Sequence, residues 1–419
     1  MREHGVTDMP KFLGKLIGVD EAINRLAKVL PKELPIRSAE LVNSLGCYPA
    51  EDIVARIDMP EFDRSAVDGY AVRSIDVQGA SVNNPAVLRI VGSMKPGDKP
   101  GKHVVGPGEA VEIHTGAPLP RGADAVVMYE DAMKMGDEVE VYSPVSPYAN
   151  VSRKGEDFSK GSVIVPRGER IRAQHIGIIA SNGIDRVRVY GRLSAAIIST
   201  GNELLEPGKP YIEGKIYAST GYLVKAYLEE TGLFKADYLG IYPDDYDAIR
   251  EAIEYATWRY DIVLTTGGTS VSESDVVRDV VEDLGEWVFR GVAMRPGRPT
   301  SLALVNNKPV LMLSGYPVAA WTGLELILRQ AMINKYGLRG LERPVAVAVL
   351  RRSLPNRVGY TSLIRVRLIY GDYIIYVEPY MLKGSGILSS LSRSYGYVII
   401  PGHIEGYAEG EKVLVKLIK

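Results

Sequence analysis

Apolar residues recur along this chain in two rhythms, one helical and one alternating, and the places where the rhythm changes outline its domains. The segment DEAINRLAKVL, from Asp20, carries Ala22, Ile23, Leu26, Ala27 and Leu30 on one face behind a capping aspartate, which predicts a helix. A shorter helix is predicted from Ser38 to Gly46, and a strand over 50–57. Residues 86–143 break into short runs, AVLRIVG, AVEIHTG, DAVVMYED and EVEVYS, between Pro-Gly and Gly-Asp turns, the pattern of a small all-β module. A helix over 173–181 and a strand over 187–190 follow. From Leu193 strands over 193–200, 236–241, 261–265, 288–293, 301–305 and 310–313 alternate with helices over 221–231, 244–258, a segment ending near Leu284, and 318–333. Such alternation predicts a mostly parallel sheet with helices on both faces. From Pro344 the chain returns to strands, VAVAVL, SLIRVRLIYG, YIIYVEPY, YVIIP and KVLVKLI, forming a second β module of about 75 residues.

Open sheets of this kind bind ligands outside the carboxyl ends of their strands. Four turns stand at such ends: after Ser199, after Ile241, after Thr265 and after Leu313. The third is the most loaded, DIVLTTGGTSVSESD over 261–275. Gly267 and Gly268 remove side chains where the backbone turns, and Thr269, Ser270, Ser272 and Ser274 supply hydroxyls. Ser272 or Ser274 is placed to cap a helix starting near Glu273. Free backbone N–H groups and a positive helix end at one point suit a phosphate, and Asp275, in the first helical turn, suits a divalent cation held against it. An ordinary βα turn would account for the same glycines. Neither a Walker A lysine nor the G-x-G-x-x-G dinucleotide spacing is present.

Composition narrows the class. A chain of 419 residues predicts about two to four domains. Lys plus Arg (50) balances Asp plus Glu (51), which gives no electrostatic case for nucleic acid or an anionic membrane as partner. Cys47 is the only cysteine, so an intrachain disulfide and a cysteine zinc site are excluded. No signal-peptide pattern and no run of ~20 apolar residues is present, which predicts a soluble cytoplasmic protein. Glutamine is confined to Gln78, Gln174 and Gln330 while charged residues abound, a lean toward a thermophile.

The carboxylates of interest are Asp68, Asp157, Glu203, Asp244 and Asp275, each in a Gly-rich or helix-starting loop: VDGY, KGEDF, TGNE, YPDD and SESD. Arg290, Arg295 and Arg298 lie in FRGVAMRPGRP, where a Pro-Gly turn presents guanidinium forks suited to phosphates or tetrahedral oxyanions. Taken singly, each acid is equally explained as a cap or surface charge, and Asp244 as a first-turn dipole partner. Phe62 and Tyr70, in the loop MPEFDRSAVDGYAV, read by default as anchors. No nucleophilic Ser or Cys has a plausible His partner, which disfavours covalent catalysis. Metal-assisted chemistry at a phosphate fits better.

Seven segments taken together resemble the MoeA/gephyrin family, the molybdopterin molybdenumtransferases: PEFDRSAVDGYAV, EIHTGAPLPRGADAVVMYED, RKGEDF, IISTGNELLEPG, TTGGTSVSESDVVRDVVEDLG, AMRPGRP and SGYPVAA, in the family's order. The resemblance implies an N-terminal dimerisation domain over 1–45 and 151–190 and an inserted β domain over 46–150. It implies a molybdopterin-binding α/β domain over 191–337 and a C-terminal β-barrel over 338–419, in a homodimer. It also implies a reaction: molybdate, or tungstate, is joined to adenylated molybdopterin and AMP leaves, with magnesium assisting. Position by position, Gly267, Gly268, Thr269, Ser270 and Ser272 would cradle the pterin phosphate beside Thr200 and Gly201. Asp275, Glu203 and Asp244 would serve metal and catalysis, and Asp68 and Asp157 would reach a site across the dimer. Arg290, Arg295, Arg298 and Pro299 match the family's anion loop, Ser314, Gly315 and Pro317 its next turn, and Arg365 and Ser385 are looser choices for molybdate.

Two departures stand out. Arginines occupy positions that are often lysine, so a fork replaces a point charge. The family's LPGNP reads LSGYP here, with Ser314 and Tyr316 at the changed positions. Rival expectations are adenylyl transfer to molybdopterin, with that adenylyltransferase otherwise a candidate partner, and a gephyrin-like scaffold. The extra β modules weigh against the first, and the lack of a linker weighs against the second.

Overall fold

The computed structural model describes residues 15–268, 276–380 and 384–418. The alternating region forms a six-stranded sheet in the order Phe234–Tyr242, Leu193–Thr200, Ile262–Thr266, Lys308–Leu313, Ser301–Val305, Gly285–Phe289. The first four strands run parallel, and the last two join antiparallel. In Leu193–Thr200, Ala195 and Ile197 enter one core while Ala196 and Ile198 enter the other. A strand buried on both faces needs a continuous apolar run, and LSAAIIS supplies one. Ser219–Glu230 and the helical run from Pro317 to Tyr336 cover the first face, and Tyr246–Arg259 with Val276–Leu284 cover the second. Asp245 caps its helix by accepting the Ala248 N–H at 2.9 Å.

The chain leaves Leu193–Thr200 to one side and returns on the other, so Leu193–Thr200 and Ile262–Thr266 flank a topological switch point. A ligand crevice is expected there.

Two β units flank this sheet. The inserted one is ordered Ala125–Met128, Gly69–Val72, Glu109–Ile113, Ala86–Met94, Glu138–Val141, Ala132–Met135. Gly69–Val72, which the sequence presented as loop, is an interior strand, and Tyr70 is core. The C-terminal strands Thr361–Tyr370, Ile375–Pro379, Val345–Leu350, Lys412–Leu417 and Gly396–Ile400 close into a barrel through the pairing of the last with the first.

Three local expectations are corrected. The helix expected from Ser38 to Gly46 is a strand, Ile36–Glu40, paired with Arg186–Tyr190 and followed by a tight turn at Leu41–Ser44. Pairing through tertiary structure, which buries Ala39, outweighs local helix propensity there. The strand expected over 50–57 is paired in a ladder only at Ile53–Val54. The strand expected over 288–293 lies earlier, at Gly285–Phe289, and the chain then joins the barrel through Met294–Arg295.

The barrel is fastened to the α/β sheet by one carboxylate. Glu325 is fully buried, on a π-helical turn at Leu324–Leu328. It accepts from the hydroxyls of Tyr227 (2.7 Å) and Tyr397 (2.9 Å), from Arg329 (3.1 Å), and from both Nε and Nη2 of Arg343 (2.9 and 3.1 Å). Burial alone would raise its pKa, but the hydrogen bonds and charges of Arg343 and Arg329 outweigh it and hold the carboxyl down to about 2. Glu325→Gln would leave one buried and one largely buried guanidinium group facing a neutral amide, and a loss of about 3–5 kcal/mol is expected in thermal or urea unfolding. The carboxyl is depressed in the fold, so its stabilisation is complete above its ordinary 4.5 and is lost as pH falls from there toward about 2. The wild type should show this acid-side loss, and Glu325→Gln should lack that component of it.

Candidate functional site

The switch point opens into a cleft of about 680 Å³. Its floor is made by Ser199, Thr200, Thr266, Gly267 and Gly268, its walls by Glu203, Leu204, the 216–221 segment, Pro299 and the 314–317 turn, and its rim by Gly386 and Leu388 of the barrel. Ser199 and Thr266 tie the two flanking strands together, hydroxyl to hydroxyl, at 2.9 Å. Gly267 has φ +96°, and a Cβ there would stand 2.4 Å from the carbonyl oxygen of Thr200. Gly268 has φ +61°, and a Cβ there would meet Val277 at 2.3 Å. Only glycine permits so close an approach of the two turns.

Two helices begin in the cleft. Ser219–Glu230 starts behind Ala218 with no side-chain cap, and Thr220 turns its hydroxyl to the Gly315 carbonyl at 2.6 Å. The run from Pro317 starts behind Tyr316, whose N–H donates to Ser314 Oγ at 3.2 Å. Two positive helix ends therefore face one concavity, which favours an anion. Among the described residues, Thr200 Oγ1 is buried there without a hydrogen-bond partner. A buried hydroxyl left unpaired is costly, and a ligand oxygen would satisfy it.

Several expected residues meet here: Thr200, Glu203, Gly267, Gly268, Pro299, Ser314, Gly315 and Pro317 line the cleft. Gly201 continues its floor strand. Asp244 accepts the Asn202 N–H at 3.1 Å while its own N–H reaches Asn202 Oδ1 at 3.3 Å, locking together the turns after the first two strands. Ser385 accepts the Val318 N–H at 3.0 Å and so seats the barrel loop on the long helix. Arg365, on the barrel and outside the cleft lining, is only 3% exposed; its Nε has no partner among the described residues, and burial lowers its pKa.

Other candidates are not gathered into the cleft. Arg290 pairs with Glu282 at 2.9 Å and lies over the Trp287 ring, because the strand it follows is the far edge of the sheet. Arg295 is exposed and stacks on Tyr360 at 4.6 Å. Arg298 is half-buried beside Pro299, outside the cleft lining. Asp68, in the inserted β unit, accepts the Thr115 N–H at 2.8 Å, the main cause of its lowered pKa, with desolvation opposing and His114 helping. Asp157 is exposed in a linker loop, its N–H bonded to the Met59 carbonyl at 3.0 Å. Thr269, Ser270, Ser272 and Asp275 lie outside the described residues. Among the described residues no three His, Cys, Asp or Glu side chains come together as a metal site, and no helix is long and apolar enough to cross a membrane.

Sequence reading passed over Tyr217, Ser219, Thr220 and Leu388 and noted Tyr316 only as a departure in the turn; all five are in the cleft. The dipeptide Ser219-Thr220 was the available signal, since hydroxyl residues favour helix starts. Thr200→Val removes a hydroxyl with no partner, so the free protein should melt at an unchanged or higher temperature. Phosphate or AMP affinity should fall roughly tenfold or more, as for a hydrogen bond to a charged group. Calorimetric titration beside a thermal melt checks this; a lower melting temperature with unchanged affinity would show Thr200 to be structural.

Comparison with known proteins agrees with this architecture. Residues 17–183 match the MoeA N-terminal region (domains I and II), 196–334 the probable molybdopterin binding domain, and 347–418 the MoeA C-terminal region (domain IV). A Methanocaldococcus jannaschii protein with a provisional molybdopterin biosynthesis name is 40% identical over 403 residues, covering 94% of this chain and 95% of that one. A Staphylococcus aureus protein named molybdopterin molybdenumtransferase is 35% identical over 401 residues, covering 95% and 94%. The crystal structure of a molybdopterin biosynthesis MoeA protein from Pyrococcus horikoshii superposes with a TM-score of 0.82 at 33% identity, covering 96% of this chain and 100% of that one. With all three regions matched in order and relatives of this identity spanning nearly its whole length, the chain belongs to the MoeA family of molybdenum cofactor biosynthesis.

Proposed function

We propose that this chain is a molybdopterin molybdenumtransferase: it joins molybdate, or tungstate, to the dithiolene of adenylated molybdopterin while water cleaves the phosphoanhydride and AMP leaves. The observation that carries the reading is the cleft at the sheet's switch point, with two helix N-termini and the unpaired Thr200 hydroxyl converging on it. Its volume of about 680 Å³ is in the range of small-ligand sites, roughly 300–1,000 Å³. The phosphate would sit over Gly267 and Gly268 against Thr200, with Thr269, Ser270 and Ser272 completing the cradle and Gly201, Ser314, Gly315 and Pro317 shaping it.

Glu203 is on the wall and Asp244 on the adjoining turn, where carboxylates serve a metal or orient water. With Asp275, which lies outside the described residues, they would be the carboxylates to hold magnesium, which would neutralise phosphoryl oxygens. Arg365, outside the cleft lining, is the candidate oxyanion group because its buried Nε has no partner among the described residues, while Pro299 lines the cleft and the Ser385 carbonyl holds the barrel loop on the long helix. Arg295 and Arg298 would extend the anion loop on the outer side. Asp68 and Asp157 fit the reading only as contributions to a second subunit's site, so the homodimer, like a cytoplasmic location, is part of the proposal.

Purified protein given adenylated molybdopterin, magnesium and molybdate should release AMP and yield active cofactor without consuming ATP. Absence of AMP release with either molybdate or tungstate would falsify the assignment, and ATP consumption would point to adenylyl transfer. Asp275→Asn should lower turnover by roughly 10²–10⁴, the range of positioned acid, base or metal groups; single-turnover rates like the wild type's would take Asp275 out of the mechanism.

A further inference from the structure

The cleft floor is polar, but its mouth also carries exposed apolar and aromatic side chains. Ile216 is 58% exposed, Tyr217 41% and Leu388 40%, and all three line the cleft together with Leu204. Tyr316 is the largest of these anomalies. It is 62% exposed and lines the same mouth. A large aromatic side chain left in water on a concave wall forgoes much of its burial energy. Among the described residues its hydroxyl makes no hydrogen bond and its ring meets no other ring.

Yet the residue is not loose. Its N–H donates to Ser314 Oγ at 3.2 Å, and its carbonyl accepts the Ala320 N–H at 3.0 Å as the helix begins. One side of the ring rests against Gly386 of the barrel loop. A Cβ at Gly386 would come within 3.2 Å of Cδ1 and 3.4 Å of Cε1, so the missing side chain is what leaves room for the ring. A ring backed on one side, anchored at its base and open to a cleft has the form of a stacking platform. Stacking asks only for a π face, and so suits a planar heteroaromatic group.

We propose that Tyr316 is a specificity-determining residue that stacks on the planar heteroaromatic ring of the substrate, while the Gly267–Gly268 floor holds its phosphate. This rests on the anion-cleft reading above and adds to it the ring-recognition half of the site. Adenine and pterin share the required chemistry, and separate probes distinguish them.

The test titrates wild type, Tyr316→Leu and Tyr316→Phe by calorimetry with AMP, with neopterin as a free pterin, and with pyrophosphate as a ringless anion. Tyr316→Leu should bind the stacked ring about 5- to 100-fold more weakly, the cost of losing one base–aromatic stack. Tyr316→Phe should stay within about twofold of wild type, since the π face is kept. Pyrophosphate should bind all three equally. Loss confined to AMP identifies adenine as the stacked ring, and loss confined to neopterin identifies the pterin. Unchanged affinity of Tyr316→Leu for both overturns the proposal, as does an equal loss for pyrophosphate, which would mean a distorted floor. If wild type binds none of the three, the anion cleft itself is wrong and the platform falls with it. Gly386→Ala, which crowds the ring from behind, gives an independent reading. It should weaken the same ring ligand and spare pyrophosphate, and its binding ring and anion alike as wild type does would count against the platform.

Discussion

One buried carboxylate holds the working halves of this molecule together. Glu325 gathers Tyr227 and Arg329 from the helices on the sheet, Arg343 from the segment entering the barrel, and Tyr397 from inside it. A charge taken fully out of water is tolerated only where partners surround it, and here five hydrogen bonds do so. The geometry is demanding: either domain moving away would strand a charge in a low-dielectric interior. The edge-to-face contact of Trp321 with Tyr397, at 5.6 Å, adds an apolar seam to the same junction. Because the barrel is held there, its 384–388 loop can rest on the start of the long helix through the Ser385–Val318 hydrogen bond, and the cleft gains its rim.

That cleft presents chiefly backbone and hydroxyl groups, which would be its means of meeting an anion. Helix ends and unpaired N–H groups are fixed in place by the fold and need no reorganisation when charge arrives, unlike long side chains that must first be ordered. The arginines that looked prominent in the sequence are spread over several tasks. Arg290 neutralises Glu282, Arg295 lies on Tyr360, and Arg365 alone among the arginines proposed for the anion has a buried guanidinium nitrogen without a partner. Floor and mouth also differ in kind: small polar residues and glycines lie below, exposed aromatic and aliphatic side chains above. A ligand with a phosphate at one end and a flat ring at the other matches that division.

Much of this was legible without coordinates, because burial on both faces of a parallel strand leaves a mark that does not depend on context. LSAAIIST and DIVLTT carry that mark, and both are central strands of the sheet. The run after Asp20 forms the amphipathic helix its spacing required, but its N-cap is Gly18 and Asp20 sits in the first turn; likewise Asp245 caps Tyr246–Arg259, and Asp244 lies before the cap rather than in the first turn. Legibility failed where tertiary pairing decided the outcome. Ile36–Glu40 has no strong alternation of its own and becomes a strand only because Arg186–Tyr190 lies beside it. Gly69–Val72, inside a loop-like segment, is interior because strands on both sides enclose it.

The sequence by itself determined the class of sheet, the glycines of the turn, the acids near it and, through seven ordered segments, the family. Those are properties of local chemistry and spacing, which survive being read one residue at a time. Only the tertiary structure decided which side chains share the cavity. Tyr316 and Leu388 share it because the barrel, which carries Leu388, is locked against the helix that Tyr316 opens, while Arg290 does not because the strand it follows is the far edge of the sheet. Cavities are made where separate elements meet, and the distance across such a meeting is written in no single stretch of chain.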